Sequence, residues 1–566
     1  MTTPDFDVSI RPEILRICRE SVSPEEIFAS CTYGPRVYGC LGDRVDMNLL
    51  LVLQTYHPKI RHFAKKFHDA RVSILVMTLE AFESDVELGQ FGEIVAEVIT
   101  LPYRPLLNAD YLEEMEVKMK RRFVLELLRN IIWQYPELST ELLVKPEYFI
   151  YEGFRRRARL LPTLTQGFAE VLQENVRKRN IDSIMHGYLK ALRVLETENI
   201  VRSSNGYVKI NKEFVEDVNR QHNRFSKLLQ PLRKGLRSYV SSFYWRVASG
   251  SIQHQYSNLN NRQKKAQGNL IPELEEAKKH LLMPTPSGPV PLSNKTSIQD
   301  FAQKTMLGRE ASKIEVEQIG GVLNSVFLLT LRKDNQTQKI VAKKFEDWQG
   351  FKWLPLALWT LGTQSFAVLG KARLEKEYST NQLLSKHGFN VPRILHVSLK
   401  ERIIFEEFVQ GQKLDEIVKG IISPSSEESM TRENEIIRSV GREVARAHSL
   451  NIALGDCKPE NMLVTEDRQV CFLDLEQARR NGNQPWDIAE FLYYSGHYVL
   501  PIHSDKAARI ITASFLEGYI ESGGKRENIK EAASAKYTKV FSVFTLPHVL
   551  LAIANICKRI GEEKGD

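Results

Sequence analysis

The chain has 566 residues, of which 42% are hydrophobic and 26% are charged, and its formal net charge at pH 7 is +8. This composition is that of a globular protein with roughly two to four domains, and the modest positive charge permits contacts with phosphate groups without requiring them. The six cysteines form no Cys-x-x-Cys pair and no apolar run is long enough to span a bilayer, which argues against a disulfide or zinc framework, excludes a membrane-spanning helix and predicts a cytoplasmic protein without membrane contact.

Residues 1–110 are predicted to form an α/β domain. Residues 49–53 are continuously apolar, as in a strand that is buried on both faces of a sheet. Residues 57–68 are predicted to form an amphipathic helix, and Val72–Met77 a second apolar strand. Alternation of strands and helices over this length is typical of a sheet covered by helices.

This order of elements resembles a nucleotidyltransferase fold, in which a Gly-Ser turn precedes an Asp-x-Asp pair that binds two metal ions. The turn is Gly34-Pro35 here, the pair is Asp46-Met47-Asn48, and the neighbouring strand carries Ser73 where a third carboxylate is expected. Two-metal chemistry needs several anionic ligands close together. We therefore predict a degenerate nucleotidyltransferase-like domain or an unrelated α/β scaffold, with an active transferase as the alternative.

The middle region, residues 111–282, is predicted to be mostly helical. It contains basic clusters at residues 120–122 and 155–159. Near residues 181–215, a helix followed by a hairpin that turns at Asn205-Gly206 resembles a winged helix. A winged helix can bind nucleic acid, so RNA or DNA is a partner that this region could contact. The alternatives are solvated helix faces for the basic clusters, and a rigid spacer or dimer element for the winged helix.

Residues 283–297 are predicted to be a proline-rich linker and the main domain boundary. Four prolines and a glycine lie within the nine residues Met283–Pro291, and such a stretch cannot continue a helix. We therefore expect a separate C-terminal domain over residues 298–566.

The C-terminal domain is predicted to begin with a strand, a glycine turn and a strand over Val316–Leu329. Gly320 and Gly321 in that turn would let backbone N–H groups approach phosphates closely. Lys339–Phe345 follows as a strand whose side chains alternate between two faces. The next predicted elements are, in order, a helix over residues 374–388, a buried strand and polar connection over 402–411, and an amphipathic helix over 435–449.

The stretch with the clearest chemistry is residues 454–461. Asp456 follows a helix in a tight turn, Asn461 precedes a short apolar strand, and Asp474 ends the next one. Asn461 and Asp474 provide hard oxygen ligands that can hold Mg²⁺ against a triphosphate. Asp456 is left to accept a hydroxyl proton, and Lys458 can neutralise the moving phosphoryl group.

Asp-x-Lys-Pro-x-Asn followed by a strand, a turn and Asp-Leu-Glu resembles the catalytic and metal-binding loops of the protein-kinase superfamily. The resemblance implies ATP and Mg²⁺ as cofactors. It implies that Lys344 reaches the α- and β-phosphates, with Lys343 as the alternative. Ala342 would then lie over adenine on the same strand face as Lys344.

The resemblance implies further roles along the chain. Glu377 would pair with the phosphate-binding lysine, with Glu375 as the competitor. Backbone groups near Glu407 and Val409 would bind adenine at the hinge between two lobes. Asp487 would accept hydrogen bonds from backbone donors of the catalytic loop.

Two features depart from typical protein kinases. Leu454 replaces the usual histidine two residues before the catalytic aspartate, and only twelve residues separate Asp474 from Asp487, with no Ala-Pro-Glu motif. A long activation segment cannot fit in that interval. The domain therefore resembles atypical kinases, namely the RIO kinases, the kinase of the tRNA threonylcarbamoyl-adenosine complex, and lipopolysaccharide or aminoglycoside kinases.

The predicted fold class is α+β, with a two-lobed protein-kinase-like domain preceded by the nucleotidyltransferase-like domain and the helical middle region. The predicted activity is that of an ATP- and Mg²⁺-dependent phosphotransferase. Lys458 within its motif resembles serine/threonine protein kinases, and it favours a protein substrate with a Ser or Thr hydroxyl. The alternatives are a small-molecule kinase of the aminoglycoside or sugar type, and an ATP-binding or ATPase assembly factor for a ribonucleoprotein.

Overall fold

The structure of the protein is a computed structural model. The residues it describes are 27–39, 47–67, 70–160, 164–222, 275–306, 313–320, 325–333, 336–347, 366–422, 427–498 and 505–563. The chain divides into two compact units, residues 1–282 and 283–566. Both units combine strands with helices, so the fold is mixed α+β. Among the described helices, none has both the length and the apolarity that crossing a membrane requires.

A five-stranded sheet opens the N-terminal unit. Its strands are β1 (Ile27–Tyr33), β2 (Met47–Leu53), β3 (Ile60–Phe67), β4 (Ala70–Thr78) and β5 (Tyr103–Leu107), in the spatial order β3–β4–β2–β1–β5. β2 and β4 are parallel, and the other neighbours are antiparallel. Leu50 and Val52 pack into one hydrophobic cluster, and Leu49, Leu51 and Leu53 pack into another. The prediction that residues 49–53 form a strand buried on both faces is confirmed.

The prediction of a helix over residues 57–68 is wrong. Residues 60–67 form the edge strand β3, which pairs antiparallel with β4 along its whole length. Arg61 is exposed, whereas Phe63 packs partly against a buried cluster. An edge strand can carry many polar side chains, so the mixed composition of this stretch resembled that of an amphipathic helix. The hydrogen bonds to β4 decide the conformation.

The residues predicted for a nucleotidyltransferase site lie near β1, β2 and β4. Asn48 stands opposite Ser73, whose hydroxyl is 2.8 Å from His62 Nε2. Gly34 has a φ of 91°, and a Cβ there would lie 2.4 Å from the Asn48 amide nitrogen, so glycine is required at this turn. Asp46 lies outside the described residues, and the resemblance to a nucleotidyltransferase stays a prediction.

The remaining described part of the N-terminal unit is mainly helical. Its helices are α1 (Pro35–Tyr38), α2 (Leu79–Leu88), α3 (Ala96–Ile99), α4 (Ala109–Gln134), α5 (Glu147–Leu160), α6 (Leu164–Val171), α7 (Arg177–Thr197) and α8 (Lys212–His222), with a 3₁₀ helix at Glu275–His280. The short strands β6 (Leu143–Val144), β7 (Val201–Ser204), β8 (Tyr207–Ile210) and β9 (Leu281–Met283) lie in the order β9–β6–β8–β7. The predicted hairpin is confirmed, since β7 and β8 are joined by Asn205 and Gly206, whose φ angles of 51° and 78° suit an Asn-Gly turn.

The proline-rich segment 283–297 contains the short strand β10 (Val290–Pro291). The Tyr378 hydroxyl donates a hydrogen bond to the Pro284 carbonyl, and the Thr296 N–H donates one to Ser398 Oγ at 3.0 Å. These two contacts attach both ends of the predicted linker to the C-terminal unit.

A further five-stranded sheet follows helix α9 (Ile298–Met306) in the C-terminal unit. Its strands are β11 (Lys313–Gly320), β12 (Ser325–Lys333), β13 (Gln336–Lys344), β14 (Ile394–Ser398) and β15 (Ile403–Glu407), in the order β11–β12–β13–β15–β14. Helix α10 (Gly370–Lys386) lies between β13 and β14 in the chain. On one face of the sheet, Ala302 of α9 packs with Ile340, Ala342 and Phe405.

The remaining described part of the C-terminal unit is mainly helical. Its helices are α11 (Leu414–Ile422), α12 (Glu427–Ser449), α13 (Gln484–His497), α14 (Lys506–Glu521), α15 (Arg526–Ala532), α16 (Ala535–Phe541) and α17 (Pro547–Glu562). Short strands β16 (Gln412–Lys413), β17 (Ile452–Ala453), β18 (Met462–Val464), β19 (Val470–Phe472) and β20 (Arg479–Arg480) form two small sheets, β16–β18–β19 and β17–β20. The loops that carry the predicted catalytic residues run between these strands.

A close crossing of α12 and α14 fixes the helix that leads into those loops. A Cβ at Gly441 would lie 2.0 Å from the Phe515 carbonyl oxygen, and one at Gly518 would lie 1.9 Å from the Arg438 carbonyl oxygen. Both positions therefore require glycine, because the backbones meet directly. The crossing lies about two helical turns before His448, which is buried in the last turn of α12.

Candidate active site

Asp487 braces the catalytic loop, which we define as residues 454–461. Its carboxylate is fully buried and accepts hydrogen bonds from the Leu454 N–H at 2.6 Å and the Gly455 N–H at 2.8 Å. His448 Nε2 lies 3.0 Å from the same carboxylate, and Tyr519 holds the other ring nitrogen at 2.7 Å. The predicted role of Asp487 toward the backbone of the loop is confirmed.

Glu490, one turn further along α13, is a second buried carboxylate that holds the catalytic loop. It accepts hydrogen bonds from the Cys457 N–H at 2.7 Å and from Trp486 Nε1 at 2.9 Å. Burial, together with repulsion from Asp456, raises the pKa of Glu490 well above its usual value. Asp487 and Glu490 therefore hold both sides of Asp456 through the backbone.

The predicted proton acceptor and its lysine are adjacent. Asp456 lies 3.1 Å from Lys458 Nζ, and the carbonyl of Asp456 accepts a hydrogen bond from Asn461 Nδ2 at 3.1 Å. Burial raises the pKa of Asp456, and the attraction of Lys458 only partly counters this. Burial disfavours the charge on Lys458, but attraction from Asp456 and Glu490 outweighs it and raises the pKa of Lys458. A raised carboxylate pKa suits a group that must take a proton from a hydroxyl.

Asn461 and Asp474, the predicted metal ligands, are joined through the backbone. The Leu473 N–H donates to the Asn461 carbonyl at 2.9 Å, which links the catalytic loop to the segment 474–477, called the metal loop below. An amide oxygen and a carboxylate, both partly exposed, are the hard donors that Mg²⁺ prefers. The residues therefore fit Mg²⁺, with the remaining oxygens supplied by phosphates and water.

The structure corrects the predicted pairing between a lysine of β13 and Glu377. Lys343, not Lys344, lies 2.9 Å from Glu377 Oε1 and 3.0 Å from Glu406 Oε1. Lys343 also donates a hydrogen bond to the Leu473 carbonyl, immediately before Asp474. The pairing predicted for Lys344 is therefore wrong, and the alternative lysine occupies the position.

The same correction applies to Ala342. Side chains alternate along β13, so Ile340 and Ala342 share a face with Lys344. That face packs against the apolar cluster with α9 and Phe405. Ala342 therefore lies on the opposite face from Lys343, and Val341 lies on the same face as Lys343. Both lysines follow a small apolar residue by two positions, and the sequence alone could not show which face is turned toward Glu377.

Electrostatics around Lys343 involve three carboxylates. Burial opposes the charge on Lys343, but the attraction of Glu377, Glu406 and Asp474 outweighs it and raises its pKa well above the usual value. Burial raises the pKa of Glu377 to about 7, against the attraction of Lys343, and burial raises the pKa of Glu406 as well. One ammonium group therefore faces an excess of negative charge, which a bound cation would offset.

Glu377 connects this cluster to the metal loop. Its second oxygen, Oε2, accepts a hydrogen bond from the Leu475 N–H at 2.6 Å. The competitor Glu375 lies on another face of α10, where it pairs with Lys371 at 3.5 Å. The structure therefore brings Glu377, and not Glu375, to the lysine.

The residues predicted to bind the nucleotide at the sheet edges are less completely described. Gly320 ends strand β11, whereas Gly321 lies outside the described residues. The exposed side chain of Glu407 pairs with Arg393 at 3.2 Å, and its N–H donates to the Arg393 carbonyl at 2.9 Å. Val409 lies in the connection that follows β15, and its predicted contact with adenine stays a prediction.

Sequence reasoning missed Glu406, Glu490 and the buried pair Arg373–Glu476. Glu406 stands opposite Val341 in the sheet, and this pairing places it on the face of Lys343. Because side chains alternate between the two faces of a strand, the position of Glu406 next to Glu407 could have indicated that its carboxylate faces the site. Glu490 lies three residues after Asp487, on the same face of a helix, which is a signal that could have been used.

The basic clusters of the middle region are largely engaged in ion pairs. The pairs are Arg155 and Arg156 with Glu152, Arg157 and Arg122 with Glu93, Lys120 with Glu116, and Arg121 with Glu198. Arg157 is also buried against the Phe123 ring. These cations support the alternative interpretation of structural and solvated helix faces.

Comparisons with known proteins agree with the geometry of the C-terminal unit. Residues 341–491 match the sequence model of the lipopolysaccharide kinase (Kdo/WaaP) family. Over 110 residues, 19% of this chain, the sequence is 29% identical to KEOPS complex subunit Bud32 of Pyrococcus abyssi and covers 46% of that protein. Over 174 residues, 30% of this chain, it is 28% identical to a probable bifunctional tRNA threonylcarbamoyladenosine biosynthesis protein of Methanobrevibacter smithii and covers 29% of it.

The chain thus spans less than half the length of these two relatives. The matched family region begins at β13 and ends in α13, and so contains Lys343, the catalytic loop and the metal loop. The resemblance predicted for the C-terminal half is confirmed: this region is similar to the lipopolysaccharide kinase (Kdo/WaaP) family and to Bud32, within the protein-kinase-like superfamily.

Proposed function

We propose that the C-terminal unit is an ATP- and Mg²⁺-dependent kinase that transfers the γ-phosphate of ATP to a hydroxyl group. The observation that carries the proposal is the buried Lys343–Glu377 pair at 2.9 Å, whose glutamate is bonded to the metal loop. A lysine held in this way presents a fixed positive charge to phosphates. The braced catalytic loop lies beside it, joined through Leu473 and Asn461.

The proposed mechanism assigns one task to each side chain. Asp456 accepts the hydroxyl proton, since it is held by its neighbours and its pKa is raised. Lys458, 3.1 Å away, offsets the charge on the moving phosphoryl group. Lys343 binds the α- and β-phosphates, while Asn461 and Asp474 hold Mg²⁺. When bound, the ion neutralises charge that develops on the phosphates.

The acceptor hydroxyl is proposed to belong to a protein Ser or Thr residue. The support is Lys458, which stands in the Asp-x-Lys-Pro-x-Asn motif and contacts Asp456 directly. A sugar hydroxyl is the second candidate, and the match to a lipopolysaccharide kinase family supports it. The third candidate, an ATPase that acts within an assembly, draws on the similarity to a complex subunit.

These candidates are separated by following the label from γ-labelled ATP. The purified chain would be incubated with Mg²⁺ and either a protein extract or a panel of sugars, with Asp474→Asn as the matched inactive control. Label on protein that is lost in the control supports the proposal. Label on sugars selects the second candidate, and label in inorganic phosphate alone selects the ATPase. Label that stays in ATP under all conditions would refute the kinase.

We propose that any nucleic-acid contact of the N-terminal unit uses the β7–β8 hairpin as the wing of a winged helix. Arg202 and Lys209 are paired in register on the hairpin. Among the described residues, neither is paired with a carboxylate, in contrast to Arg155 and Arg156. Salt dependence of tRNA binding tests this, because each phosphate contact steepens the slope of log K against log salt by about one.

The test compares two double variants of the full chain. Arg202→Gln with Lys209→Gln should flatten the slope by about two, whereas Arg155→Gln with Arg156→Gln should leave it unchanged. The name of the relative in Methanobrevibacter smithii makes tRNA the first probe, with duplex DNA as the second. Absence of salt-sensitive binding at micromolar protein would leave the region as a structural spacer.

A further inference from the structure

A buried ion pair joins helix α10 to the metal loop. Arg373 is fully buried, and its Nη2 lies 2.7 Å from Glu476 Oε1 and 2.8 Å from Oε2. Arg373 Nη1 also donates to the Glu346 carbonyl at 3.0 Å. Glu476 is two residues after Asp474, the proposed metal ligand. The pair is 103 residues apart in sequence, so it connects two distant parts of the unit.

Arg373 and Glu377 both bind residues of the metal loop. They are four residues apart in a helix, and therefore lie on one face. Glu377 accepts a hydrogen bond from the Leu475 N–H at 2.6 Å, while Arg373 holds the next side chain, Glu476. The Glu476 N–H in turn lies 3.4 Å from Asp474 Oδ1. Both residues that follow Asp474 are thus attached to the helix that carries the lysine's partner.

The exit of the metal loop is also fixed. The side-chain amide of Gln477 makes two hydrogen bonds with the backbone of Ala367, at 2.8 and 3.3 Å. Strand β20 follows at once and pairs with β17, which leads into the catalytic loop. The Asn481 N–H donates to the Asn451 carbonyl at 2.6 Å. The chain between Asp474 and α13 is therefore held along its length.

A gain in folding stability alone does not explain the presence of this buried ion pair. Removing two charges from water is costly, and a buried pair is often no more stabilising than apolar side chains of the same volume. Its value lies in geometry, because a carboxylate held by two hydrogen bonds can occupy few positions. The residue that benefits most directly is Asp474.

We propose that Arg373 and Glu476 are positioning residues that hold α10 against the metal loop, and so keep Asp474 set for Mg²⁺ without phosphorylation of an activation segment. The inference rests on the proposed kinase function and adds how its site is kept assembled. The twelve residues between Asp474 and Asp487 contain no long segment that could perform this task.

The test measures metal affinity directly and does not depend on turnover. Mn²⁺ would be titrated into the full chain with a non-hydrolysable ATP analogue, and bound ion would be followed by electron paramagnetic resonance. Glu476→Gln keeps the shape of the side chain and removes its charge. It should weaken Mn²⁺ affinity by roughly 10- to 100-fold, the usual effect of losing a partner that orients a metal ligand.

Controls separate positioning from folding. Glu521→Gln breaks an exposed pair with Arg438 on α12 and α14, far from the metal loop in sequence, and should leave Mn²⁺ affinity unchanged. Arg373→Lys keeps the charge but loses the paired hydrogen bonds, so it should give an intermediate loss and serves if Glu476→Gln fails to fold. Phosphatase treatment of the wild-type chain should change neither Mn²⁺ affinity nor turnover.

Three results would overturn the inference. Wild-type Mn²⁺ affinity in Glu476→Gln or Arg373→Lys, with only a lowered melting temperature, would make the pair purely structural. Loss of metal affinity after phosphatase treatment would show that phosphorylation assembles the site. If the wild-type chain binds no metal–nucleotide complex at all, the proposed function fails as well, and this outcome is distinct from the first two.

Discussion

Replacement of Lys343 by methionine removes the ammonium group that lies between Glu377 and Glu406. The side chains of Lys343, Glu377 and Glu406 are only 12%, 2% and 4% exposed, so water cannot take the place of the lost charge. Removing one partner of a buried ion pair destabilises a protein by about 3–5 kcal/mol. We expect a loss of that size at pH 7 and a smaller one near pH 5, where the two carboxylates can take up protons.

The matched control is Lys344→Met. Lys344 is the next residue on β13, is partly exposed, and has no carboxylate partner among the described residues. Its replacement should change the free energy of unfolding by less than about 0.5 kcal/mol. Lys343→Met should also weaken binding of a Mg²⁺–ATP analogue by roughly 10- to 100-fold, the value of a charge-assisted hydrogen bond, and Lys344→Met should not.

Urea unfolding and isothermal titration with a non-hydrolysable ATP analogue measure the two effects. The opposite pattern, with binding lost in Lys344→Met and retained in Lys343→Met, would refute the assignment of the lysine. Equal stability of the two variants at pH 7 would refute the buried charge cluster.

Three further predictions concern the hold of Asp487 on the catalytic loop, the pH dependence of folding stability, and the N-terminal unit. Asp487→Asn presents an amide N–H₂ to backbone donors, so it should lower stability by about 1–3 kcal/mol and reduce turnover; unchanged melting and turnover would contradict the role of Asp487 in holding the loop. The pKa of Glu377 is about 7 in the folded protein against a usual 4.5, so the folded state binds the proton more tightly and stability should fall as pH rises between these values, by roughly 3 kcal/mol in total. Glu377→Gln should show a smaller decline, because the raised pKa values of Glu406 and Glu490 remain, and parallel stability profiles of variant and wild type would contradict this. Label from α-labelled ATP should not appear on protein or RNA, because Asp46 has no acidic neighbour at the expected positions; transfer that needs Asp46 but survives Lys343→Met would contradict this.

The catalytic loop could be predicted from the sequence because its chemistry is local. Asp456, Lys458 and Asn461 lie within six residues, and their spacing in a turn before a strand leaves few other interpretations. Asp487 could be assigned for the same reason, since it follows shortly after and begins a helix. In each case, short stretches of chain fix which groups meet.

Features that depend on strand faces or distant pairing could not be predicted. Lys343 and Lys344 are equivalent in the sequence pattern, and the pairing of β13 with β15 decides which one meets Glu377. Glu406 was overlooked because its face is set by the same pairing. Arg373 and Glu476 are 103 residues apart, and no local pattern indicates that they meet. The wrong prediction of a helix over residues 57–68 has the same origin, because pairing with β4 is what makes residues 60–67 a strand.

In the proposed kinase, Asp474 holds Mg²⁺ for transfer of the γ-phosphate of ATP. Asp474→Asn keeps the size of the side chain and removes the charge that the ion requires. The direct measurement is Mg²⁺-dependent turnover of γ-labelled ATP by this variant, alongside its thermal unfolding curve. Turnover is expected to be abolished while the unfolding curve stays close to that of the wild type. Undiminished turnover in a normally folded variant would contradict the role of Asp474 as a metal ligand.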